Sequence, residues 1–465
     1  MSADHNHGGD NLYRIPADNI WANAWKLAAV LGSIGLIGSA FGAASNPERF
    51  AFSWLFAFYA FLTFALGAVF FVLIQHLTVS HWSVTVRRTA EFFAAGIPVF
   101  ALLFVPVALN ADTLYEWVGH GASHEEGHDD GAEHEGEEHS SGESLVGAST
   151  ARAQAPQEAD AHGADADGHA APEAHGPGAH NSPQHQLHGE LLEHKAPYLS
   201  LTGWYVRAGI YFILWFIVAF FFFRHSVQQD EDKSLDHTRK MQAFAPAAAA
   251  IFTLTLSFAA IDWIMSLEPT WYSTIYGVYI FAGTVITIHA LIIVVVLGMK
   301  EHGLIGSAVN IEHFHDLGKL MFGFIVFHAY VGFSQMMLQW YANIPEEIIY
   351  YHERWHAEGW KGVSYFLIFG HFVLPFLFLI SRVTKLRLSL LSFGAMWMLF
   401  MQIVDIYWFV MPNASDGFSP HWLDITSLLA VGGVYFGVVF FIMKFFPLIP
   451  IGDPRLERSL GHVVT

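Results

Sequence analysis

FSWLFAFYAFLTFALGAVFFVLIQH, running from Phe52 to His76, holds 25 residues without one Asp, Glu, Lys or Arg. At about 1.5 Å of rise per residue, an apolar helix of this length crosses the roughly 30 Å of a bilayer's hydrocarbon core. The stretch reads as a transmembrane helix.

Nine similar windows complete the set. Spans fall at about 24–43, 52–76, 86–109, 205–223, 245–264, 271–298, 319–341, 363–381, 388–410 and 423–446. Composition agrees, since 54% of the 465 residues are hydrophobic and only 14% charged, against about a quarter charged in a soluble domain. Cysteine is absent, which excludes disulfides, thiolate metal sites and covalent haem attachment through CxxCH. No basic patch points to nucleic acid. The fold class is an all-α polytopic membrane protein.

Lys and Arg in short loops set the orientation. With the N-terminus inside, Arg14, Lys26, Arg87, Arg88, Arg224, Lys233, Arg239, Lys240, Lys300, Lys319, Arg382, Lys385, Arg387, Lys444, Arg455 and Arg458 lie on the inner side. Only Arg49, Arg354 and Lys361 lie on short outer loops. Both termini are therefore expected in the cytoplasm. The organisation reads as a cytoplasmic segment 1–23, helices one to three in 24–110, a periplasmic loop 111–197, helices four to ten in 198–446 and a cytoplasmic tail 447–465. The stretch before Trp21 lacks a signal peptide's basic region and cleavage site, so the first span is expected to act as an uncleaved insertion signal.

The loop carries most of the net charge of −19: Ala111–Trp204 has 18 acidic residues against Arg152 and Lys195. It also holds 12 of the 28 histidines, in runs such as HEEGHDDGAEHEGEEH. With little apolar surface to offset its ordering entropy, it is expected to be disordered. It reads as a solvated spacer, with weak capture of zinc, copper or nickel by imidazoles as the functional alternative.

Ionisable groups inside hydrocarbon are costly and so mark candidate function. His76, His81, Arg87, Arg88 and Glu91 lie at the inner end of spans two and three, and His289, His328 and His371 near mid-depth on spans six to eight. Asp262 and Asp405 lie toward the outer side on spans five and nine, with Glu268 just beyond. Ordered by depth they make a discontinuous ladder, extended by hydroxyls such as Tyr59, Tyr279 and Thr255. Histidines and carboxylates exchange protons near neutral pH, and hydroxyls with water bridge gaps, so a proton path is one reading. The other is that each is a buried polar group satisfied by a neighbouring helix.

Three further patterns have plainer readings. The mid-depth histidines would suit axial haem ligation, but no span carries two of them at matched depths. His352-Glu353-Arg354-Trp355-His356 fits the HExxH zinc pattern, yet sits in a short loop rich in Tyr and Trp and reads as an interfacial anchor. Gly32, Gly35, Gly38 and Gly42 on span one have the spacing of close helix packing.

Four strings carry a family resemblance: FVLIQHLTVSHWSVTVRRTAE (Phe71–Glu91), DWIMSLEPTWYSTIYGVY (Asp262–Tyr279), WYANIPEE (Trp340–Glu347) and FPLIPIGDPRLERSL (Phe446–Leu460). They resemble the F subunit of bacterial alternative complex III, a quinol:electron-acceptor oxidoreductase of the inner membrane. The likeness covers nearly the whole chain except the His-rich loop and the extreme N-terminus; that loop is longer and richer in His than the family leads one to expect. The resemblance implies an NrfD-like fold of two four-helix bundles plus two further helices. It also implies no cofactor or metal in this chain, with haem c in the A and E subunits, iron–sulfur clusters in the B subunit and quinol as the substrate of the complex. The implied partners are those subunits, the NrfD-like C subunit, a small membrane subunit and, as a further candidate, a terminal oxidase. The chain alone would not be catalytic. Its implied role is a proton-conducting path, with His76, Arg87 and Glu91 at the inner entrance, Asp262, Asp405 and Glu268 toward the outer side, and His289, His328 and His371 between. One alternative is a quinone pocket lined by aromatics from spans two to five; another is a secondary transporter, for instance of metal, which would show inverted repeats.

Overall fold

The computed structural model describes residues 13–118, 189, 191–415 and 417–463, so nearly all of the His-rich loop, and the expectation of disorder placed on it, lies outside the described residues. Among the described residues, ten helices are long and apolar enough to cross a membrane: α1 Ile20–Ser45, α2 Pro47–Leu77, α3 Val84–Leu109, α4 Leu201–Asp232, α5 Leu235–Leu267, α6 Tyr276–Glu301, α7 Ile311–Ala342, α8 Trp360–Leu379, α9 Leu388–Ala414 and α10 Trp422–Met443. No strand occurs among the described residues. The all-α, ten-span class read from the sequence is the class observed.

Helices α2–α5 pack as one four-helix bundle and α6–α9 as a second, joined where α2 lies along α6 and α9. This position explains the uncharged run Phe52–His76: 89% of the apolar window of α2, and of α6, is buried. A helix enclosed on every side needs apolar residues on every side.

The remaining two helices pair with each other, α1 against α10, and α10 rests on α2. Here the glycine spacing acts through backbone contact. A Cβ on Gly35 would sit 2.2 Å from the Ala430 amide nitrogen, and one on Gly433 2.3 Å from that of Gly32. The opposite face of α1 presents Leu27, Val30, Ile34, Ile37 and Phe41 outward, a surface suited to lipid.

An even number of crossings brings residue 13 and the tail after α10 to one end of the molecule, its proximal end, where the Leu448 amide donates to the Tyr13 carbonyl at 2.8 Å. The tail is then pinned by charge. Arg87 meets Glu91 at 2.8 Å and Asp453 at 2.9 Å, and Arg88 meets Glu91 at 3.0 Å and Asp230 at 2.7 Å. Arg455 closes on Asp453 at 2.8 Å. Burial pushes the Asp453 carboxyl up, but the charges of Arg87 and Arg455, with hydrogen bonds from Arg455, outweigh it and hold it well below the usual carboxylate range.

At the opposite, distal end the edges of the loop are folded, not extended into solvent. Tyr115 and Trp117 are buried and donate to the carbonyls of Trp263 and Ser266 at 3.0 and 3.2 Å. Two large rings at 115 and 117 give this flank the apolar area that the rest of the loop lacks.

Two helices depart from regular geometry. Pro98 and Pro106 divide α3 into Val84–Ala95, Ile97–Leu103 and Val105–Leu109. In α8, residues Ile368–Val373 form a π-helical turn, with the Leu374 amide bonded to the Phe369 carbonyl. Pro375 comes directly after and has no N–H to continue an α-helical ladder back to His371.

Candidate functional site

The π turn decides which way His371 points. By adding a residue to one turn it rotates the phase of the helix, and His371 lands flat against His328 of α7, with ring centroids 4.4 Å apart and planes 25° from parallel. Asp405, on α9, completes the group: its Oδ2 is 3.4 Å from His328 Nε2. Tyr279 of α6 donates its hydroxyl to the other carboxylate oxygen, Oδ1, at 2.8 Å and lays its ring 4.1 Å from that of His328. Each helix of the second bundle contributes one member.

All three acid–base groups are buried, and His328 Nε2, His371 Nε2 and Asp405 Oδ2 make no hydrogen bond. Gln402, one turn before Asp405, is also buried with its amide oxygen and nitrogen unpaired. Leaving such groups unmatched costs on the order of 1–3 kcal/mol each, more for a charge. The cluster forms part of the wall of a cavity of about 570 Å³ whose other walls are mostly aromatic and apolar, including Phe333, Met336, Phe372, Trp408 and Phe409.

The other predicted residues fall elsewhere. Asp262 is clamped: its carboxylate accepts from Arg207 Nε at 2.8 Å, Arg207 Nη2 at 3.0 Å and the Tyr211 hydroxyl at 2.7 Å. Arg207 escaped the sequence reading, although it is the only Lys or Arg in the apolar stretch 205–223. Glu268 accepts from Arg354 Nη2 at 2.6 Å. That arginine is fully buried and lies 3.6 Å over the Tyr350 ring, which stacks on Trp271 at 3.8 Å.

Arg354 also settles the HExxH string. The helix Pro345–His356 turns its arginine inward, while His352, Glu353 and His356 face outward. The string fastens a connecting helix to the bundle.

His289 lies between Phe71 and Phe324, ring centroids 5.4 and 6.4 Å away, and one ring nitrogen is satisfied by the Val285 carbonyl at 2.7 Å. His76 stacks near Phe222, centroids 5.3 Å apart, with both ring nitrogens unpaired. Arg87 and Glu91 belong to the ion network that holds the tail.

The mid-depth histidines do pair, across α7 and α8, but centroids 4.4 Å apart leave no room for a haem between their rings. An aromatic-lined pocket, for which spans two to five offered candidates in the sequence, occurs among α6–α9. In the first bundle Trp263 packs against Phe58, Phe104, Phe212 and Trp215 at centroid distances of 4.9–5.9 Å, edge to face on Phe58 and Trp215 and stacked on Phe212.

Tyr279, His328, His371 and Asp405 can together accept, store and pass a proton, or present one polar point to a molecule held by apolar walls. The chain matches no protein-family model and no curated protein sequence. Fold and site define a multi-pass membrane protein with a buried acid–base cluster.

Proposed function

We propose that the chain is the cofactor-free membrane subunit of a respiratory quinol oxidoreductase of the alternative complex III type, and that it conducts protons through the cavity of its second bundle. Asp405 carries this reading. Tyr279 holds one of its oxygens, and the other, without a hydrogen bond, lies 3.4 Å from His328 Nε2 on a cavity wall that His371 also lines. A carboxylate kept inside hydrocarbon without a fixed counter-charge suits a group that changes its protonation. The strings at Phe71–Glu91, Asp262–Tyr279, Trp340–Glu347 and Phe446–Leu460 support membership of the complex. In this reading haem and iron–sulfur clusters belong to the partner subunits, quinol is the substrate of the assembly, and the membrane is the bacterial inner membrane.

Asp262 differs. Paired with Arg207, it secures the distal end of the first bundle and is assigned a smaller share in proton movement. The test is Asp405→Asn in the assembled complex reconstituted in vesicles, with quinol oxidation and proton movement measured together. Loss of proton movement per electron supports the reading; full movement with full turnover refutes it.

A second reading has its own observation. The same cavity is apolar, aromatic and capped by Tyr, His and Asp, the lining a quinone ring and tail would need. Photolabelling by an azido-quinone at residues such as Phe333 or Trp408 would favour this reading over a path for protons alone.

A further inference from the structure

We propose that His328, His371 and Asp405 form a binding site for one divalent transition cation of the zinc class. One ligand atom from each residue, a ring nitrogen from each histidine and a carboxylate oxygen from Asp405, lie within 4.8 Å of one another. The atoms left without a hydrogen bond, His328 Nε2, His371 Nε2 and Asp405 Oδ2, are of the ligating kind.

The donor set fits the ion. Two imidazoles and one carboxylate are ligands zinc accepts at about 2.0–2.1 Å, and tetrahedral geometry then places the ligand atoms about 3.3 Å apart. His328 Nε2 and Asp405 Oδ2 already stand at 3.4 Å. A His371 ring nitrogen lies within 4.8 Å of both, so the set closes by a further approach on that side when the ion binds. The Tyr279 hydroxyl, donating to Oδ1 at 2.8 Å, orients the carboxylate and leaves Oδ2 to the metal. The fourth position faces the cavity, where water or a small anion completes the shell.

The site does not depend on the proton path, although an ion on all three groups would stop them exchanging protons.

The test uses the full chain purified in detergent and stripped with chelator, then loaded with Zn²⁺ and washed, or loaded with Co²⁺ as an optical stand-in. The wild type should keep about one zinc per chain more than His371→Gln or Asp405→Asn and show a tetrahedral Co²⁺ spectrum that both variants lose. Equal zinc content and equal spectra in wild type and variants would overturn the site. Should either variant fail to fold, a density map of the zinc-loaded wild type decides: a peak bonded to all three side chains supports the site, and clear density without one refutes it.

Discussion

Asp262 and Asp405 are both buried carboxylates near the distal side of a span, yet replacing each by Asn should have opposite consequences. Asp262→Asn removes the charge that holds Arg207, whose side chain is only 20% exposed, and weakens the bond from Tyr211. Breaking a buried pair by deleting one partner costs about 3–5 kcal/mol. Partial hydration of Arg207 lowers this to about 2–4 kcal/mol. Asp405→Asn leaves the Tyr279 hydroxyl an amide oxygen to bond, and its new N–H₂ lies where Oδ2 met His328 Nε2 at 3.4 Å. A donor there pairs with an unmatched nitrogen, so the change should cost less than about 1 kcal/mol. Thermal unfolding of the purified chain in mild detergent gives the comparison, with Arg207→Met/Asp262→Leu as the double variant. The melting temperature should fall by several degrees for Asp262→Asn, barely move for Asp405→Asn and recover in the double variant. Equal losses for the two Asn variants, or no recovery in the double, would refute the assignment of one aspartate to structure and the other to chemistry.

Packing and charge set three further outcomes. Gly35→Val places a side chain where even a Cβ meets the Ala430 nitrogen at 2.2 Å; α1 should part from α10, seen as loss of a monodisperse peak in size-exclusion chromatography. Arg354→Lys should destabilise almost as much as Arg354→Met in thermal melts, because a single ammonium cannot bond Glu268 and the Tyr350, Trp408 and Phe409 carbonyls while lying flat on the Tyr350 ring. The Asp453 carboxyl is depressed in the folded state. Its stabilising share is therefore present above the unfolded value of about 3.9 and lost as pH falls through the folded one, so protease cleavage of the tail should rise only below about pH 4, with Asp453→Asn removing that step.

The ten spans are legible in the sequence alone, because length and lack of charge are local properties that any one segment displays. So is the shared end of residue 13 and the tail after α10, which an even number of crossings requires, and the close packing of α1 through its glycines. The candidate residues were legible one by one as costly groups in apolar runs. Their grouping was not. His328, His371 and Asp405 come from three helices, and a sequence does not state how each helix is rotated about its axis or which helix lies beside it. Packing decides both. The buried α2 and α6 fix which spans are neighbours, and the π turn before Pro375 sets the direction of His371. Arg207 captures Asp262 because α4 and α5 lie side by side. Asp262 and Asp405 look alike in sequence; only the tertiary structure gives one an arginine and the other a pair of histidines, because a side chain's partners are set by the helices around it and not by its neighbours in the chain.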